Sequence, residues 1–192
     1  MDENLKQKKS DCKRIVLFGP ESTGKTTLAK KLAYHFQTNW VPEFAREYLE
    51  KKMIQTGEIC SYDDLYTIAI EQMKQENKLI KLSNKYIFCD TNLLSTQVYS
   101  EVYFNKCDNR ILTANHKNKY DLYLLTDVDI PWVKDLVRDK PNERKKMFRF
   151  FEDKLIDMNI SFYILSGNIQ KRLNDAISVS YTHLTLPTIP GV

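Results

Sequence analysis

Arg14-Ile15-Val16-Leu17-Phe18-Gly19-Pro20-Glu21-Ser22-Thr23-Gly24-Lys25-Thr26 decides the fold. An apolar run leads into a loop bounded by two glycines, and Thr27-Leu28-Ala29-Lys30-Lys31-Leu32-Ala33 continues as a helix. Strand, loop and helix in that order, with G-x-x-x-x-G-K-[ST] spacing, read as a phosphate-binding loop. Backbone N–H groups must turn inward around a phosphate, and a side chain at either glycine would obstruct that approach. The first free N–H groups of the following helix add partial positive charge beneath the anion. Lys25 has the reach for the β- and γ-phosphates, and the Thr26 hydroxyl is a ligand for Mg²⁺.

Working outward, Trp40-Val41 reads as a short strand, and Pro42-Glu43 starts a helix. Glu43, Arg46 and Glu47 fall near one another on that helix. Read alone they form a surface ion-pair cluster. Placed after the second strand of a phosphate-loop domain, they fall where small kinases hold an acceptor. Ser61 and Asp64 have capping-box spacing, and the helix they open carries a core stripe to about Leu82. Lys85-Tyr86-Ile87-Phe88-Cys89-Asp90 is a buried strand ending in an acid, the expected second element of a phosphate site. Asp90 is thus a candidate to hold Mg²⁺ or to accept a proton from a hydroxyl.

Tyr120 to Thr126 is the next strand, followed by Asp127 to Trp132 and a charged stretch to Arg144. Between a strand and a helix this stretch fits a small lid, with Arg138 the first and Arg144 the second candidate to reach the transferring phosphoryl group. Trp132, just beyond a strand end, is a candidate to stack on a flat ring. Met147 to Met158 gives an amphipathic helix, Ser161 to Leu165 the last strand, and Ile169 to Ile177 the start of a last helix. The alternation predicts an α/β fold, a three-layer α/β/α sandwich on a mainly parallel sheet of about five strands. Right-handed crossovers would line the site residues along one sheet edge.

The 192 residues suit one domain, and 42% hydrophobic with 28% charged residues fits a globular protein. Residues 1–13 read as a disordered basic tail, since Lys6-Gln7-Lys8-Lys9 is a solvated run and not a nucleic-acid arm. No apolar run reaches the roughly 20 residues that span a membrane, and no signal peptide is apparent. Cys12, Cys60, Cys89 and Cys107 are scattered, as expected of reduced thiols in a cytoplasmic protein. Residues 14–177 form the expected domain. From 178 to 192 the composition turns to Thr, Leu and Pro without charge or period. This tail resembles translated sequencing-adapter sequence and is expected to lie outside the evolved fold, the native chain running on from about Ile177.

Gly19 to Thr26, Val41-Pro42-Glu43-Phe44-Ala45-Arg46-Glu47-Tyr48, Tyr62 to Leu65, Cys89-Asp90-Thr91, Tyr120 to Leu125, Pro131-Trp132-Val133 and Arg138-Asp139 form a series. It resembles the ribosylnicotinamide kinase domain of the NadR family from about Arg14 to Ile177. The resemblance implies transfer of the ATP γ-phosphoryl group to the 5′-hydroxyl of nicotinamide riboside, giving nicotinamide mononucleotide for NAD salvage. It implies ATP contacts from Gly19, Glu21, Ser22, Thr23, Gly24, Lys25, Thr26, Thr27 and Arg144, and Mg²⁺ held by Thr26 and Asp90. Glu43, Arg46, Asp90 and Trp132 would hold the riboside. Lys25, Asp90, Arg138 and Glu43 would carry catalysis. The partner is thus a small molecule, with no nucleic acid and no membrane insertion expected; oligomeric state stays open. Asn92 stands where relatives often carry an acid, and no glycine accompanies Arg138. With no H-x-G-H motif, adenylyl transfer and repression are not expected. Another small-molecule or nucleoside kinase of the same fold and a regulatory ATPase are the alternatives.

Overall fold

From Arg14 to Phe18 the first strand is buried at every residue, because helices cover both faces of the sheet it centres. The computed structural model describes residues 2–132 and 143–185, the last three by backbone alone. Along the chain run β1 (Lys13–Phe18), α1 (Lys25–His35), β2 (Asn39–Val41), α2 (Phe44–Thr56), α3 (Tyr62–Leu79), β3 (Tyr86–Asp90) and α4 (Leu93–Phe104). There follow α5 (Asn109–Lys117), β4 (Leu122–Thr126), α6 (Arg144–Asp157), β5 (Phe162–Leu165) and α7 (Ile169–Thr185). All strand pairings are parallel, in the order β2-β3-β1-β4-β5.

The two-residue period of a strand divides the core. Ile15 and Leu17 face α1 and α7, packing with Leu28, Leu32 and Ala176. Val16 and Phe18 face α4 and α6, packing with Val98, Met147 and Phe151. The expected three-layer sandwich is therefore present. Register then sets the site. Leu17 pairs with Asp90 and Phe18 with Leu125, so the loop after β1 emerges between the ends of β3 and β4. That is the switch point where ligands bind in open α/β sheets.

One expectation about the ends needs correction. The N-terminal residues are not a disordered tail. Leu5 is fully buried beside Ala69, Met73, Leu93 and Ile111. The Asn118 side chain ties the segment down, donating to Leu5 O at 2.8 Å and accepting from Gln7 N at 3.2 Å. The buried Leu5 and side-chain hydrogen bonds from Asn118 and Asn77 anchor it together. At the other end, α7 starts at Ile169 and runs to Thr185, with Ser180 fully buried and Tyr181 packed on Phe36. Small residues at 176 and 180 share a face at i,i+4 spacing, which lets this helix lie close to its neighbours. Most of the expected lid, 133–142, lies outside the described residues. Among the described residues no helix is long and apolar enough to cross a membrane, and all four cysteines are free.

Candidate active site

The phosphate loop is shaped by close approach. A Cβ on Gly19 would stand 2.9 Å from Thr126 Oγ1 and 3.0 Å from Thr126 O, so only glycine lets β1 turn this tightly against β4. Gly24 has φ +80°, and a Cβ there would also press on Ile130 at 3.2 Å. Ser22, without glycine's freedom, holds φ +56°, a conformation few side chains adopt. Hydrogen bonds hold the turn in place. Thr23 Oγ1 donates to Pro20 O at 2.8 Å and shares a 2.7 Å bond with Thr126 Oγ1, whose hydroxyl also reaches Phe18 O at 3.1 Å. The Thr23 side chain is therefore spent inside the fold, leaving its backbone as the group able to meet an anion. Thr126 ends a strand and nothing in the sequence marks it; its role follows only from pairing β4 beside β1.

Lys25 is buried, and its ammonium donates to Pro20 O at 2.6 Å. Burial pulls its pKa below the ordinary lysine value, against the pull of Glu43 and Asp90. Thr26, half-buried on the first turn of α1, donates from Oγ1 to Asp90 Oδ2 at 2.5 Å. Asp90 is 1% exposed, and its other oxygen has no hydrogen-bond partner among the described residues. Burial first, and then the charge of Glu43, push its pKa up to about 6, while Lys25 and Thr26 oppose the shift. An orphaned oxygen on a buried carboxylate, beside a hydroxyl at the end of a phosphate loop, is the donor set a Mg²⁺ ion shared with phosphates requires. Thr27 is exposed on the same turn.

Beyond this corner lies a cavity of about 310 Å³, within the size range of small-molecule sites. Glu21, Glu43 and Arg46 supply its polar wall, and Leu49, Ile68, Tyr99, Tyr103 and Phe104 its apolar one. Glu43 immediately precedes the first turn of α2, and Arg46 lies 3.6 Å from its carboxylate and 3.8 Å from that of Glu50. Glu47, on the far side, pairs with Lys51 at the surface. The helix is held over the cavity by Asp64, which accepts from Tyr48 OH at 2.7 Å and Lys52 Nζ at 2.6 Å. Sequence reading found in Asp64 only a capping residue. It also missed Tyr99, whose hydroxyl meets the Glu21 backbone and whose ring packs on Phe151; core spacing on α4 gave no hint of a cavity wall.

Not every candidate joins this cluster. Trp132 is half-buried and is not among the residues lining the cavity. The Arg144 guanidinium grips the phosphate loop at a carbonyl, Nη2 donating to Ser22 O at 3.0 Å, while Nη1 donates to Ile130 O beyond β4 at 2.8 Å. Arg138 lies outside the described residues.

The chain has relatives among known proteins. It is homologous to the trifunctional NAD biosynthesis/regulator protein NadR of Salmonella typhimurium, 28% identical over 150 residues, covering 77% of this chain and 37% of that protein. The NadR protein of Escherichia coli is matched to the same extent. The chain thus spans little more than a third of the length of these curated relatives. Among solved structures it is similar to a NadR protein in complex with NR, with TM-score 0.80 and 22% identity over 92% of this chain and 52% of that one. It shares its fold with thymidylate kinase from Ehrlichia chaffeensis, with TM-score 0.61 and 17% identity over 88% of this chain and 98% of that one. The family model described as an AAA domain matches residues 14–172. Phosphate loop, orphaned carboxylate and parallel sheet therefore have a family setting: the chain belongs to the AAA_28 family of AAA domains.

Proposed function

We propose that this protein is an ATP-dependent kinase that phosphorylates nicotinamide riboside to nicotinamide mononucleotide in NAD salvage. The observation that carries the reading is a cavity walled by Glu21, Glu43 and aromatic rings, whose Glu43 carboxylate acts electrostatically on Lys25 and Asp90. A riboside whose base is a flat cation suits both walls, the aromatic one through its ring faces and the acidic one through charge. Similarity to NadR over 150 residues supports the same choice.

When bound, Mg²⁺·ATP supplies the γ-phosphoryl group and neutralises charge as it transfers. Thr26 and Asp90 are the residues to hold the metal. Lys25 would exchange its present acceptor, Pro20 O, for phosphate oxygens. The backbone of Gly19, Glu21, Ser22, Thr23 and Gly24 would cradle the phosphates, with Thr27 beside them and Arg144 bracing the loop. Glu43 and Arg46 would orient the ribose, and either Glu43 or Asp90 would take the proton from its 5′-hydroxyl. Arg138 would close over the phosphates, and Tyr99, Tyr103 and Phe104 of the aromatic wall would face the nicotinamide. Little covalent work falls to the protein, so the rate depends on alignment and charge. We propose a cytoplasmic location, which the four free thiols support.

Calorimetry with nicotinamide riboside, thymidine and adenosine tests the acceptor. Tightest binding by the cationic riboside is expected. Equal or tighter binding of a neutral nucleoside would replace this acceptor with another of the same fold's substrates.

A further inference from the structure

Arg172 lies 149 residues from the phosphate loop, outside every motif that marks the site, yet its guanidinium touches that loop. The residue is 1% exposed. Its Nη1 donates to Thr23 O at 2.6 Å, its Nε to Gly167 O at 2.8 Å, and its Nη2 to Asp127 O at 3.0 Å and to the Asp129 carboxylate. Asp129 also accepts from Gly167 N at 2.5 Å. One cation therefore joins three connections at the sheet edge: the phosphate loop, the segment leaving β4 and the turn between β5 and α7. Four acceptors around a single planar fork is a demand that lysine, with its one nitrogen, does not meet.

The direction of these bonds matters more than their number. In a planar trans peptide the carbonyl and the following N–H point opposite ways, and no described peptide here is cis. Holding Thr23 O therefore turns the Gly24 N–H to the side away from Arg172. Arg144 does the same one residue earlier, since holding Ser22 O fixes the direction of the Thr23 N–H. Thr23 and Gly24 are the loop residues just before Lys25, where N–H groups must face the anion.

We propose that Arg172 is a positioning residue for the donor nucleotide, aiming the phosphate-loop N–H groups by gripping the loop's carbonyl from behind. The inference rests on reading the loop as the ATP site. The test is Arg172→Lys in the full chain, with affinities for a non-hydrolysable ATP analogue with Mg²⁺ and for nicotinamide riboside measured separately on folded protein. The analogue should bind ~10-fold or more weakly, with riboside affinity within about twofold of the unaltered protein. Asp129→Asn, which keeps the carbonyl bonds and removes only the charge partner, should weaken the analogue by a smaller factor. In Arg172→Ala, added guanidinium should recover part of the analogue affinity. Unchanged analogue affinity in Arg172→Lys and Asp129→Asn, or equal losses for both ligands, would overturn the proposal while leaving the functional reading intact. Failure of the unaltered protein to bind the analogue would overturn both.

Discussion

Thr26 and Asp90, 64 residues apart, are joined by a 2.5 Å hydrogen bond from hydroxyl to carboxylate. The bond fastens the first turn of α1 to the end of β3 and leaves the second Asp90 oxygen buried without a partner. A charged, half-satisfied carboxylate in the interior costs stability unless something else uses it. At this corner of the sheet that cost has a functional reading, since a divalent cation would satisfy the orphaned oxygen.

The cost should be visible without metal. With its folded pKa near 6 and an unfolded value near 3.8, Asp90 binds its proton more tightly in the folded state. Its contribution is therefore present below about pH 4 and lost as pH rises through about 6. Asp90→Asn should stabilise the metal-free protein at pH 8, by up to ~3 kcal/mol, and much less near pH 4. Urea denaturation in chelator at the two pH values measures the difference.

Lys25 is the only cation placed at the loop's mouth by the motif itself. Lys25→Ala should lower kcat by ~10²-fold or more with the fold preserved. Circular dichroism and steady-state kinetics on the same preparation check both halves. Near-normal turnover would reject the site.

Glu43 lines the cavity from the start of α2 and influences both Lys25 and Asp90. Glu43→Gln should raise KM for the riboside, by ~10-fold for a lost charge-assisted contact, while KM for ATP stays near its original value. A fall in kcat alone would instead mark Glu43 as the proton acceptor. Glu47→Gln, on the exposed side of the helix, should change neither constant.

Away from the site, Arg14 and Glu76 form a buried ion pair at 2.9 Å, 8% and 2% exposed. Tyr120 OH and Gln7 also donate to Glu76, at 2.8 and 3.0 Å. Burial raises the Glu76 pKa despite these bonds. Removing one partner strands the other charge, so Arg14→Met should cost ~3–5 kcal/mol, and pairing it with Glu76→Gln should restore part of that. Equilibrium unfolding of the single and double variants measures the coupling.

Much of this molecule can be read from its residues, for reasons particular elements make clear. The phosphate loop, α1 and β1 are local, so motif and period alone find them. The order of strands is less local, and right-handed crossovers prune the alternatives without choosing β2-β3-β1-β4-β5 among them. Long-range contacts leave no such mark. Thr126 and Arg172 brace the loop from β4 and α7, and neither spacing nor type distinguishes them from an ordinary strand threonine or helix arginine. Leu5 shows the same limit at the N-terminus, where a lysine run suggested solvent and a single leucine found a core. Asp64 was legible as a cap, while its grip on Tyr48 and Lys52 depends on how α2 lies across α3.

We propose above all that the cavity walled by Glu21 and Glu43 receives a cationic riboside for phosphorylation. The most direct test incubates the protein with γ-labelled ATP and Mg²⁺, with and without nicotinamide riboside, and follows the label. Labelled nicotinamide mononucleotide, formed one for one with ADP and only when the riboside is present, is the predicted result. ADP released at the same rate without the riboside, or label carried to thymidine in preference, would contradict it.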